Sequence, residues 1–153
     1  MKKNFGFPLN NSINLSSAYY FKNINDLKNY YKNKFRNLRY TRDANSGSIE
    51  LEKYFEKLYK KSTSLSFSSG MAAIAASLIS VINSDTTIVT FGNFYRKSRS
   101  IIEHLHQKFK VKNINFLDYR KFIEWSKKNQ KNIVFFLEIP SNPFMKIIDI
   151  QDI

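Results

Sequence analysis

Three short runs rich in β-branched and aromatic residues, at 86–91, 113–117 and 133–137, are separated by stretches whose apolar residues recur at helical spacing. Strands kept apart by a helix's length of chain pair in parallel, because no tight turn joins them. The alternation therefore predicts an α/β fold, a mostly parallel sheet with flanking helices. The last run, Ile-Val-Phe-Phe-Leu, is apolar throughout and predicts a strand buried on both faces. Ligands of such sheets sit beyond the carboxyl ends of the strands, so the loops that follow strands are where chemistry is expected.

The stretch 64–80 speaks most directly about a ligand. Leu65 and Phe67 alternate with Ser64, Ser66 and Ser68, which predicts a short strand. The pattern changes at Gly70, and a helix is predicted from Met71 to Ile82 with Met71, Ile74, Leu78 and Val81 on one stripe. A chain running through Ser-Ser-Gly into a helix leaves backbone N–H groups unpaired in the first turn. Those donors and the positive end of the helix dipole suit a phosphate or another anion. Gly70 has no Cβ to keep an anion away from the backbone. From this stretch alone, a buried junction whose serines only cap the helix is the preferred reading.

Elsewhere, residues 1–24 are polar and weakly patterned, broken by Pro8, and read as an extended arm. Asn25 or Asp26 is expected to cap a helix carrying Leu27, Tyr30 and Tyr31, and 39–48 reads as a loop. Residues 49–61 form an amphipathic pattern with Leu51, Tyr54, Phe55, Leu58 and Tyr59 on the apolar face. Gly92-Asn93 is expected to turn the chain, 95–110 to be helical, and Asp118 and Asp149 to cap further helices. The Ser-Ser-Gly, 93–98 and Pro-Ser-Asn-Pro loops are all expected on one rim of the sheet.

The net charge of +13 invites a nucleic-acid reading. Of the basic residues, however, 19 are Lys and only 6 Arg, scattered through an Asn- and Ile-rich chain, without the interleaved aromatics of an RNA-binding sheet. The charge reads as a solvated surface, and nucleic acid is not the expected partner. There is no cysteine, hence no disulfide and no thiolate metal site. No apolar run reaches membrane-spanning length and no signal-peptide pattern opens the chain, so a cytoplasmic protein without membrane contact is expected. His104 and His106 are two apart and point away from each other on a helix, so they cannot share a metal.

Several segments, in order, resemble the Cys/Met-metabolism family of pyridoxal-phosphate enzymes, which includes cystathionine γ-synthase, the cystathionine lyases and methionine γ-lyase. They are Tyr40-Thr41-Arg42 with Asn45, Leu51-Glu52, Phe67-Ser68-Ser69-Gly70-Met71-Ala72-Ala73-Ile74, Tyr95, Glu138 with Pro140-Ser141-Asn142-Pro143, and Asp149-Ile150. The resemblance implies the first part of a fold type I large domain over 61–153, preceded by an arm and helix over 1–60 that make inter-subunit contacts. It implies pyridoxal 5′-phosphate as cofactor, with the Gly70 and Met71 backbone on the phosphate. Tyr95 would lie on the pyridine ring near the reacting amino acid, as the candidate catalytic residue, and Asn142 near the ring oxygen. Tyr40 and Arg42 would reach the phosphate held by a neighbouring subunit of a homo-oligomer.

Two departures stand out: Arg96-Lys97 where the family has a small glycine pair, and Asn45-Ser46-Gly47 where it has Asn-Pro-Thr. Family enzymes are also more than twice as long. Their later part carries the Schiff-base lysine, the carboxylate partner of the ring nitrogen and the substrate-carboxylate arginine. The chain is therefore expected to be an N-terminal fragment. Its parent reaction would be a cystathionine γ-synthase- or lyase-like γ/β replacement or elimination on a small amino-acid substrate. A non-catalytic remnant that binds phosphate ligands or pairs with full-length relatives is the alternative.

Overall fold

The computed structural model describes residues 13–32, 38–60, 63–129 and 131–150. It divides into two compact units, Met1–Ser66 and Phe67–Ile153.

In the first unit, residues 13–23 carry no helix and a single isolated bridge. Ala18 bridges Tyr40 in antiparallel fashion, with Tyr19 N–H donating to Arg39 O (2.9 Å) and Thr41 N–H to Ser17 O (2.8 Å). Helix α1 spans Ile24–Lys32. Its first turn is capped by neither Asn25 nor Asp26 but by Asn23, whose Oδ1 accepts from both of their N–H groups at 2.9 Å. Helix α2 spans Ser46–Leu58, three residues earlier than its apolar pattern predicts. Asn45 is its cap, accepting from Gly47 N–H, and Gly47 is carried into the first turn. The apolar face of α2 is present but uncovered, with Leu51, Tyr54, Phe55, Leu58 and Tyr59 all exposed.

Residues 64–67 take no regular secondary structure and have no strand partner among the described residues, which corrects the expected strand. Carboxylates of α2 hold this segment instead. Glu52 Oε1 accepts from Ser66 N–H (2.9 Å) and Oγ (3.0 Å), and Glu56 Oε1 accepts from Ser64 N–H (3.1 Å). Leu65 accordingly remains exposed.

The second unit is the expected parallel α/β arrangement. Helix α3 (Gly70–Val81) leads to β1 (Thr87–Phe91), followed by α4 (Arg96–Phe109), β2 (Lys112–Phe116), α5 (Tyr119–Lys128) and β3 (Ile133–Phe136). The strand order is β2-β1-β3, and both pairings are parallel. Every residue of the central strand β1 is buried. The edge strand β3 is half-buried along its length, not buried on both faces as its run of apolar residues predicts. Successive side chains point to opposite faces, so the sheet divides the apolar residues into two cores. Ile88, Val134 and Phe136 pack with Leu78, Ile102, Leu105 and Val111 under α3 and α4. Val89, Ile133 and Phe135 pack with Phe122 and Trp125 under α5. Within α3, Ile74 and Leu78 face the core while Val81 is exposed, so the stripe is shorter than predicted.

Asp118 caps α5 as expected, its side chain accepting from Arg120 N–H at 2.9 Å. Asp118→Ala should lower the stability of this unit by about 1 kcal/mol, the ordinary value of a lost helix cap; a urea denaturation midpoint unchanged from wild type would contradict this. The expected break at Pro8, and any helix continuing from Asp149 past residue 150, lie outside the described residues.

Candidate functional site

A cavity of about 500 Å³ opens beyond the carboxyl ends of β1 and β3, lined by Ser69, Gly70, Met71, Ile74, Tyr95, Ser98, Phe136, Leu137 and Glu138. Three of the residues singled out from the sequence, Gly70, Met71 and Tyr95, meet here.

One wall is the start of α3. Ser69, in extended conformation, is the N-cap, and its Oγ accepts from Ala72 N–H at 3.1 Å. Its carbonyl accepts from Ala73 N–H, also at 3.1 Å. The carbonyl bond is the first of the helix itself, so Ser69 Oγ satisfies one orphan donor, while the N–H groups of Gly70 and Met71 make no hydrogen bond among the described residues. A Cβ built on Gly70 would meet no heavy atom within 4 Å, so the space beside these amides is open. The serines do cap the helix, yet the junction is not closed: Gly70 is exposed and Met71 only half-buried. Open donors at the positive end of a helix are the chemistry of an anion site.

The opposite wall begins at the end of β1. The chain turns at Gly92, whose φ of +69° suits a residue without a Cβ. It then places Tyr95 at the N-cap of α4 with its ring partly exposed. One turn further in, Ser98 is fully buried, and its Oγ has no hydrogen-bond partner among the described residues. A buried hydroxyl without a partner is costly, and its place in a cavity wall is where a polar ligand atom would relieve it. The floor is apolar, from Ile74, Phe136 and Leu137. Glu138 closes the end of β3, and its Oε2 accepts from Tyr95 N–H at 2.8 Å.

Two helices thus begin at one cavity with opposite outcomes. A protein carboxylate occupies the positive end of α4, and that of α3 is left open. The arrangement offers a planar anionic ligand two amide donors for its charge, an aromatic ring and apolar floor for its body, and a buried hydroxyl.

The remaining candidates lie elsewhere. Asn142 is exposed in the turn after β3 and does not line this cavity. That turn is held by Ser141, whose Oγ accepts from Lys146 N–H at 3.0 Å. With Gly92 and Asn93 it borders a separate recess of about 340 Å³, so the rim loops are divided between two hollows. Tyr40 and Arg42 belong to the first unit, where they line a groove with Tyr19, Tyr31 and Arg39, and the Arg42 guanidinium lies 5.0 Å over the Tyr40 ring. His106 Nδ1 is engaged with Val111 O at 2.7 Å, and no group of potential metal ligands occurs among the described residues. No described helix is long and apolar enough to cross a membrane. Sequence reading does not single out Ser98 as a site residue and gives Glu138, quoted only as part of a matching segment, no role; each matters through a neighbour brought in by folding.

A parallel sheet with a ligand-sized cavity at its carboxyl rim, walled by an open helix start, defines an α/β protein whose rim donors suit an anion. Comparison narrows the class: residues 6–153 match the model of the Cys/Met metabolism PLP-dependent enzymes, and the chain belongs to that family. The cofactor of this family is pyridoxal 5′-phosphate. The chain is 28% identical over 138 residues to cystathionine gamma-synthase 1, chloroplastic, of Nicotiana tabacum, covering 89% of this chain and 25% of that protein. It is 31% identical over 113 residues to L-methionine gamma-lyase of Fusobacterium nucleatum, covering 73% of this chain and 28% of that protein. The crystal structure of metB from Corynebacterium glutamicum superposes with a TM-score of 0.77 at 23% identity, over 95% of this chain and 36% of that one. Cystathionine gamma-lyase from Lactobacillus plantarum, complexed with L-serine, superposes at 0.70 and 21%, over 90% and 34%. The chain therefore spans about a quarter to a third of the length of the relatives it matches.

Proposed function

We propose that this cavity is the part of a pyridoxal-phosphate site that grips the phosphate and covers the ring, within a transsulfuration enzyme of cystathionine γ-synthase or lyase type. The observation that carries the reading is the pair of unengaged N–H groups of Gly70 and Met71, opening on the same cavity as Tyr95. In this role those two amides donate to phosphate oxygens, with the dipole of α3 adding to the attraction. Tyr95 would cover the ring and exclude water from it, and Ser98 Oγ would be available to a polar atom of the ligand. The bound cofactor would supply an electron-accepting ring for replacement or elimination on a sulfur-containing or O-acylated amino acid. Tyr40 and Arg42 suit a second phosphate, that of a neighbouring subunit, because the planar guanidinium can hold two oxygens at once. That role makes the complete protein a homo-oligomer.

The test uses pyridoxine 5′-phosphate, because the aldehyde would condense with exposed lysines irrespective of any site. Quenching of intrinsic fluorescence should saturate, with inorganic phosphate competing. Tyr95→Ala should weaken binding by about tenfold, the usual order for loss of an aromatic platform. Quenching that does not saturate, or that Tyr95→Ala leaves unchanged, would refute the assignment of this cavity.

A further inference from the structure

Helix α4 starts badly by its own sequence. Its N-cap, Tyr95, makes no side-chain capping bond, and the first turn holds no acidic residue. Three exposed cations, Arg96, Lys97 and Arg99, sit at this positive end of the dipole, where positive charge is unfavourable. A single carboxylate makes up the deficit, and it comes from 43 residues away. Glu138, half-buried at the end of β3, accepts from Tyr95 N–H at 2.8 Å. The bond joins the segment just after β3 to the turn that carries Tyr95, and both residues line the cavity.

We infer that Glu138 is a positioning residue: its carboxylate caps α4 from a distance and so fixes where the Tyr95 ring stands over the cavity. The consequence for cofactor binding rests on the proposed function; the anchoring of Tyr95 does not. Among the described residues Tyr95 N–H has no other acceptor, so the reach of the Glu138 oxygen to that amide anchors the turn, and the cations beside it add a smaller attraction.

The experiment is amide hydrogen exchange on the full chain, wild type beside Glu138→Ala and Glu138→Gln, followed by pyridoxine 5′-phosphate titration of each. In E138A, exchange over residues 95–99 should speed up by about tenfold or more, as expected for the loss of a hydrogen bond to a charged acceptor. Peptides covering α3, β2 and α5 should exchange as in wild type. Gln keeps an acceptor oxygen, so E138Q should stay within about threefold of wild type over the same residues. Affinity should follow the same order, with E138A weakest. Unchanged exchange over 95–99 in E138A, an increase spread evenly over the unit, or E138Q as disturbed as E138A would each overturn the inference. Should E138A not fold, the Tyr95 amide proton in E138Q decides. Its resonance should move further than any other in α4, and an unmoved resonance overturns the assignment. If pyridoxine 5′-phosphate fails to bind even the wild type, the proposed function falls, while the exchange result still judges Glu138.

Discussion

Gly70→Pro should abolish most phosphate-ligand binding while leaving the fold intact. Proline removes one of the two free amide donors and nothing else of consequence at this position. Gly70 is the first residue of α3, the helical position where proline is favoured because its missing N–H has no partner inside the helix. The preceding residue, Ser69, has φ −157° and ψ 156°, the extended backbone that a following proline requires. The Cβ that proline adds would meet no heavy atom within 4 Å. Folding stability should therefore hold or rise by about 0.5 kcal/mol through the stiffer unfolded chain. Affinity for pyridoxine 5′-phosphate should fall by about tenfold or more, since a hydrogen bond to a charged group contributes about 1.5–3 kcal/mol. Gly70→Ala keeps the amide and should lose much less. Parallel titrations and melts of the two variants check this, and equal binding by G70P and wild type would remove the phosphate from the start of α3.

What could be read from the chain beforehand divides along physical lines. Helices and β1 are local: their periodicities depend on neighbours a few residues away, and α3, α4, α5 and β1 fall within a residue or two of expectation. Statements about partners are not local. The alternation at Leu65 and Phe67 describes a backbone able to enter a sheet, and it says nothing of whether a neighbouring strand exists. The segment instead takes side-chain carboxylates from Glu52 and Glu56. The apolar run of β3 records suitability for burial, while its half-exposed state follows from lying at the edge of the sheet. Caps slip for a related reason. Asn23, Asn25 and Asp26 are all competent acceptors, and only the path of the chain selects Asn23. At the site, the open amides of Gly70 and Met71 were legible because a helix start creates them whatever surrounds it. Glu138 was visible as part of a matching segment but without a role, because its bond to Tyr95 spans 43 positions. The orphan hydroxyl of Ser98 likewise needed the packed cavity wall to become apparent.

Ile88→Ala should destabilise the second unit far more than the loss of a helix cap or of any exposed side chain. β1 is the one described strand with a neighbour on each side, and Ile88 at 0% exposure is its largest fully buried side chain. It contacts the core shared by Leu78, Phe94, Ile102, Leu105 and Val111, so removing it leaves a void bounded by α3, α4 and the sheet. Truncations of this kind cost about 2–5 kcal/mol, a large part of the roughly 5–15 kcal/mol that holds a typical domain together. The loss should appear as a markedly lower urea midpoint with an unchanged slope, or as failure to fold. Ile79→Ala is the matched control. It removes the same atoms from α3, where Ile79 is 53% exposed, and should shift stability by no more than about 0.5 kcal/mol. The consequence extends to the cavity, because the turn bearing Tyr95 leaves from the end of β1 and α3 packs on the same core. Ile88→Ala should therefore weaken ligand binding in proportion to the fraction unfolded, and excess ligand should recover it by mass action. Gly70→Pro should show no such recovery of stability. Equal urea midpoints for I88A and I79A would mean that this core does not hold the site together.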